Sequence, residues 1–186
     1  MVSNIYSFEP FPIIICQIQI STLFTMETQH ALFVKMALDA WNTQSSRTTK
    51  LVQSLSDEAL AGETAPNRNS GAYLLGHLTA VHDAMIPLLD LGEKLYPQLE
   101  TIFLKNPDKS GLEKPPIGDL RLYWNSVQGT LTNHFAELKA EDWFKKHATI
   151  SHEDFLKEPH RNKLSVLINR TNHMAYHLGQ MAYLKK

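Results

Sequence analysis

The sequence predicts an all-α domain, a four-helix bundle in up-down-down-up order. Three observations carry that expectation: four long segments have the 3.6-residue apolar period, no alternating run is long enough for a central sheet, and long connectors separate the later segments. The chain has 186 residues, enough for one domain with a sizeable core. Hydrophobic residues make up 43% and charged residues 20%, a balance that indicates neither disorder nor a membrane bundle.

The first helix is expected from about Glu27 to Leu55, with Leu32, Met36, Trp41, Leu51, Val52 and Leu55 among its apolar positions. Ser56 reads as the N-cap of a short turn, because Asp57 and Glu58 follow where the helix dipole favours negative charge. Pro66, Asn67, Asn69 and Ser70 form a polar break, and Asn69 or Ser70 is placed to cap the next helix. That second helix, about Gly71 to Leu91, carries its stripe at Leu74, His77, Leu78, Val81, Met85 and Leu88. Pro87 should bend or shorten its last turn.

The third helix is expected from about Asp119 to Leu138 through Leu122, Val127, Leu131 and Phe135. The fourth runs from about Asn162 to Leu184 through Leu164, Leu167, Ile168, Met174, Ala175, Leu178 and Met181. Between the second and third, residues 92–118 contain Pro97, Pro107, Gly111, Pro115 and Pro116, so they are not one helix. A helix of ~20 residues is ~30 Å long. This connector can span that length and start the third helix parallel to the second. Residues 140–161 are a second mixed connector, with a short helix expected near Asp142.

Residues 11–20 (FPIIICQIQI) are apolar, but no Lys or Arg precedes them and the run is shorter than the ~20 residues of a spanning helix. Residues 1–25 therefore read as an added or mis-started extension, or as a strand-like arm on the surface. The domain proper is expected over 26–186, in a reducing cytoplasm. The lone Cys16 allows neither an internal disulfide nor an all-cysteine metal site. With 18 basic and 19 acidic residues the net charge is −1, which argues against a nucleic-acid partner.

The candidate chemistry lies in the histidines. His173 and His177 are four residues apart, one turn along one helix face, where both imidazoles can reach one ion. A third ligand must come from another helix, and His77, within the apolar stripe of the second, is the best placed. Three neutral imidazoles hold a divalent first-row metal and leave positions open for water or substrate. Gln180 follows His177 by three residues and reads as a polar residue of the last turns, with a hydrogen bond into the same cavity as the alternative. His82 reads as a surface group or a supporting neighbour of the site. His134 reads as lying on an exposed helix face, with an approach to the site as the alternative, and His30, His147, His152 and His160 fall at element ends or in connectors.

Competing signatures fail. The fourth helix reads HMAYH, without the glutamate of a zinc-protease HExxH, and Glu27 with His30 is a single Glu-x-x-His pair where a di-iron bundle needs two. GAYLLGH lacks the lysine of a phosphate loop, and there is no G-x-S-x-G nucleophile elbow.

NSGAYLLGHLTAVHDAM around His77 and NHMAYHLGQMAYL around His173 and His177 together resemble the DinB/YfiT-like superfamily of metal-binding four-helix bundles. The likeness covers about Glu27 to Lys186 and includes all three histidine positions. The resemblance implies a metal, usually zinc or nickel, held between the second and fourth helices, and often a homodimer. Characterised relatives include transferases and isomerases that use low-molecular-weight thiols, beside presumed hydrolases. Two functional classes follow as expectations: a metal-dependent thiol transferase or hydrolase acting on a small molecule, or a non-catalytic metal-stabilised ligand-binding or interaction module.

Overall fold

The computed structural model describes the backbone of residues 11–185 and the side chains of residues 28–185. The side chains of the apolar run, Cys16 among them, lie outside the described residues. Helix α1 spans Phe11–Ser54, so it begins upstream of the expected start at Glu27. The chain explains the continuity: Pro12 sits in the first turn, where its missing N–H costs nothing, and no Gly or Pro follows before Ser54. The backbone of 11–25 is thus part of a helix and not a strand-like arm.

One face of α1 is buried through Val34, Trp41, Thr48, Leu51 and Val52, and Leu55 just after it is buried too. Leu32 and Met36, expected in that stripe, are 57% and 60% exposed. At ~100° per residue they lie roughly 160° and 200° around from Val34, on the outer side. The short α2 (Asp57–Ala61) follows, with Ser56 capping it by accepting the Ala59 N–H at 3.1 Å.

Helix α3 (Gly71–Asp83) is capped by Ser70, whose Oγ accepts the Tyr73 N–H at 3.2 Å. It ends eight residues before the expected Leu91, and α4 (Met85–Leu88) continues after a break at Ala84. Pro87 is the cause: its ring excludes the carbonyl of Asp83, four residues back. The Asp83 side-chain carboxylate is buried and accepts the backbone N–H groups of Leu95 (2.8 Å) and Tyr96 (2.9 Å).

The 92–118 connector runs back along α3. Asp83 holds its beginning, the short helix α5 (Leu99–Phe103) packs against Gly76, and Asp108 near its end accepts the Ser70 N–H at 2.6 Å. Helix α6 (Ile117–Glu137) thereby starts at the same end as α3. Its buried line is Leu120, Trp124, Val127, Leu131 and Phe135, while Leu122, expected inside, is exposed. After α6 a 3₁₀ turn (Ala140–Phe144) buries Trp143. Then comes α7 (His152–Lys157), which periodicity missed because no residue of it is buried. Its capping pattern was legible, with Ser151 accepting the Asp154 N–H at 3.0 Å.

Helix α8 (Lys163–Met181) is capped by Asn162 and followed by a 3₁₀ turn (Ala182–Leu184). It buries Leu164, Leu167, Thr171, Met174 and Met181, and leaves Ile168 exposed against expectation.

The four long helices form a ring in which α1 packs on α8 and α6, and α3 packs on α6 and α8. Residue pairs give the directions. Trp41, Ser45 and Thr49 of α1 meet Phe135, Gln128 and Trp124 of α6, so α6 is descended as α1 is climbed. Along α8, Lys163 reaches the Leu89 carbonyl while His173 meets His77, again in opposite order. The described residues are all-helical apart from two isolated bridges, Glu63 with Ser70 and Lys146 with Asn162. No helix among them is long and apolar enough to cross a membrane.

Candidate metal centre

The packing of α3 against α8 brings His77, His173 and His177 together. The Nε2 of His173 lies 3.2 Å from that of His77 and 3.0 Å from that of His177. Each outer imidazole is oriented from behind. His77 Nδ1–H donates to the Phe103 carbonyl at 2.8 Å, and His177 Nδ1–H donates to Gln180 Oε1 at 2.7 Å. Both bonds leave the neutral rings with bare Nε2 lone pairs aimed at the common point. Only a proton on His173 Nε2 is then available for two nitrogen–nitrogen contacts, so lone pairs crowd one another unless a cation sits among them.

The donor set fits such a cation. Two nitrogens at about 2.05 Å on a tetrahedral ion are ~3.3 Å apart, close to the separations found. Bonds to the far ring nitrogen are the usual means of aiming a metal-binding imidazole. Burial holds His173 down to a pKa of about 4, helped by the neighbouring His177 and His77 and by Arg170. Burial also lowers that of His177, against the opposing bond from Gln180. Both are neutral near pH 7, the form that ligates. Among the described residues no carboxylate joins this group.

Gln180 is therefore not the peripheral polar residue expected in the last turns; it fixes the tautomer of His177. Gln180→Leu is expected to weaken metal binding about 10- to 100-fold with the helix content unchanged. A competition titration with a chelating dye checks it, and unchanged affinity would remove this role.

His82 departs further from expectation. It is fully buried, between the rings of Trp41 (4.8 Å) and Trp124 (5.3 Å), and its Nδ1 accepts from Gln128 Nε2 at 2.7 Å. The surface reading failed because α3 has neighbours on most of its circumference. Burial presses its pKa to about 3. An unfolded histidine, at about 6.5, binds its proton first on acidification, so His82 favours folding fully above pH 6.5 and progressively less toward pH 3. Metal-free protein should lose roughly 1 kcal/mol between pH 7 and pH 5.5 from this group, read by chemical denaturation at the two values. Equal stabilities would contradict a neutral buried imidazole.

His134 is half-buried and takes no part in the cluster, and His30 stacks on Phe144 with ring centres 4.3 Å apart. The Phe103 carbonyl and Arg170 were missed by sequence reading. A backbone acceptor leaves no residue signature. Arg170 was within reach, since Arg170, His173, His177 and Gln180 follow one another at helical spacings of three, four and three.

A family model of the DinB superfamily matches residues 40–181, a span that holds all three histidines with Phe103, Arg170 and Gln180. A comparison with curated proteins found no match.

Proposed function

Since this chain belongs to the DinB superfamily, we propose that it is a metal-dependent enzyme in which His77, His173 and His177 hold one divalent ion, zinc or nickel. The reaction is transfer involving a low-molecular-weight thiol, with hydrolysis of a small-molecule substrate as the competing route. The observation that carries the reading is the convergence of three Nε2 atoms, two of them aimed by bonds at the opposite ring nitrogen. A bound ion would supply Lewis acidity, favouring the deprotonated form of a coordinated thiol or water.

The protein's own contribution is to keep His173 and His177 neutral by burial, orient His77 and His177 through Phe103 and Gln180, and leave one side of the cluster free of protein ligands. Among the described residues no carboxylate stands with the histidines to serve as a general base. This favours the thiol route, because a thiol loses its proton far more readily than water does. The topology fits up-down-down-up: opposed pairs α1–α6 and α3–α8, with α3 and α6 starting at one end. We place the protein in the cytoplasm and read it as a homodimer; exposed Leu32, Phe33 and Met36 on α1 support the dimer.

Two measurements test the function. Elemental analysis of untagged protein should find one zinc or nickel per chain, and none in His77→Ala. Metal-loaded protein is then incubated with an alkylating electrophile and a panel of small thiols, and separately with esters and amides. Product that depends on thiol is the expected result. Hydrolysis without thiol would select the other route, and a bound metal with turnover of neither would favour the non-catalytic module.

A further inference from the structure

Arg170 lies one turn before His173 on the face of α8 that carries His173, His177 and Gln180. It is half-buried, and burial alone lowers its pKa. Among the described residues no carboxylate pairs with it. Its one hydrogen bond is from Nη1 to the neutral Asn169 Oδ1, at a long 3.3 Å, and its Nε is buried with no partner. Every other arginine with a short side-chain contact here has an acid: Arg121 meets Asp57 and Arg161 meets Glu158.

The surroundings repeat the pattern. Ser45 donates to Gln128 Oε1, and Gln128 donates in turn to His82 Nδ1, so the proton of His82 sits on Nε2, which is buried and unpartnered. His173 Nδ1 is buried and unpartnered as well. The positive charge of Arg170 acts on both His82 and His173. This side of the histidine cluster thus holds the Arg170 cation and the unpartnered His82 Nε2–H, and among the described residues the one acceptor at the guanidinium is the neutral Asn169 Oδ1. Partly burying a guanidinium without a counter-ion is costly, and the favoured remedy is an acceptor that carries negative charge.

We infer that Arg170 is the anchor for a carboxylate on the substrate, holding that anion beside the three-histidine cluster while the reacting group faces the ion. The planar guanidinium matches a carboxylate in a two-pronged bond. A phosphate is less well matched: among the described residues Arg170 is the one Lys or Arg whose charge acts on His82 and His173, and it lies inside a helix where no free backbone N–H is on offer. The inference deepens the function proposed above and rests on it only for where the reacting group sits; the carboxylate contact belongs to Arg170 itself.

The test is calorimetric titration of the untagged full chain, metal-free and zinc-loaded, with butyrate, benzoate and phenylacetate against their neutral amides. Wild type is expected to bind at least one acid 10-fold or more tighter than its amide in both forms. Arg170→Gln should abolish that preference while zinc stoichiometry and the circular dichroism spectrum stay unchanged. Arg170→Lys, which keeps the charge without the fork, should retain part of it. Equal affinity for acid and amide in wild type overturns the inference, as does acid binding by Arg170→Gln within two-fold of wild type. If Arg170→Gln fails to fold, Arg170→Lys decides: acid affinity must fall several-fold with amide affinity unmoved, and an unchanged acid affinity overturns it. Zinc-free wild type that takes up no metal would sink the metal-dependent reading alone, and its metal-free titration would still decide the role of Arg170.

Discussion

Replacing His173 by alanine is expected to lower affinity for zinc or nickel by about 100-fold or more, beyond the effect of losing an orienting neighbour. His173 is the middle of the three: its Nε2 touches those of both His77 and His177. Without it, one nitrogen from α3 and one from α8 remain, too few to hold a first-row ion firmly in a site without carboxylates. The fold should survive, because alanine is the best helix former and the position is only partly buried. Metal-free His173→Ala should even resist mild acid better than metal-free wild type, since a buried imidazole whose pKa is pushed to about 4 opposes folding once the solution falls below pH 6.5. Elemental analysis with a thermal scan checks both statements, and full retention of zinc would show that the ion, if present, is held elsewhere.

Gly76→Ala is expected to damage stability and the metal centre together. A methyl group there would lie 2.3 Å from Cε1 and Cζ of Phe103 and 2.7 Å from Cδ1, and Phe103 is fully buried. The ring has no free space to enter, so α5 must shift away from α3. Overpacking of this kind costs about 1–3 kcal/mol, which for a chain of this length lowers Tm by roughly 2–12 °C. The shift also moves the Phe103 carbonyl that holds His77 Nδ1–H, so metal affinity should fall about 10-fold at the same time. Parallel thermal and metal titrations of the variant decide it. A normal Tm would mean that α5 gives way freely, and a reduced Tm with intact affinity would detach the Phe103 carbonyl from the site.

The two variants differ in how visible their targets were beforehand. His173 and His177 announce themselves by spacing alone, because one helical turn puts both on one face whatever surrounds it. Gly76 directly before His77 carries no such message. Its meaning depends on Phe103, which is distant in sequence and reaches α3 only because the connector folds back along it. The Phe103 carbonyl is a main-chain atom, and any residue at that position would have presented one.

The same division runs through the fold. Local chemistry was readable: Ser56 and Ser70 do cap helices, and Pro87 does interrupt one, since each acts within four residues of itself. Judging which side of a helix faces inward was less secure. Leu32 and Met36 look apolar enough for the core yet point outward, and His82 looks polar enough for the surface yet lies between two tryptophans. A period identifies one face only when a helix has one partner side; α3, enclosed by α5, α6 and α8, has almost none left for solvent.

From the order of residues alone came the all-helical class, the helix caps and breaks, and the three histidines, because short-range sterics and the helical repeat act on neighbours along the chain. The convergence of His77 with His173, the backing of each ring by Phe103 and Gln180, and the unpaired Arg170 beside them came from assembly. Those relations join atoms on separate elements, and nothing short of the packed bundle sets the distances between them.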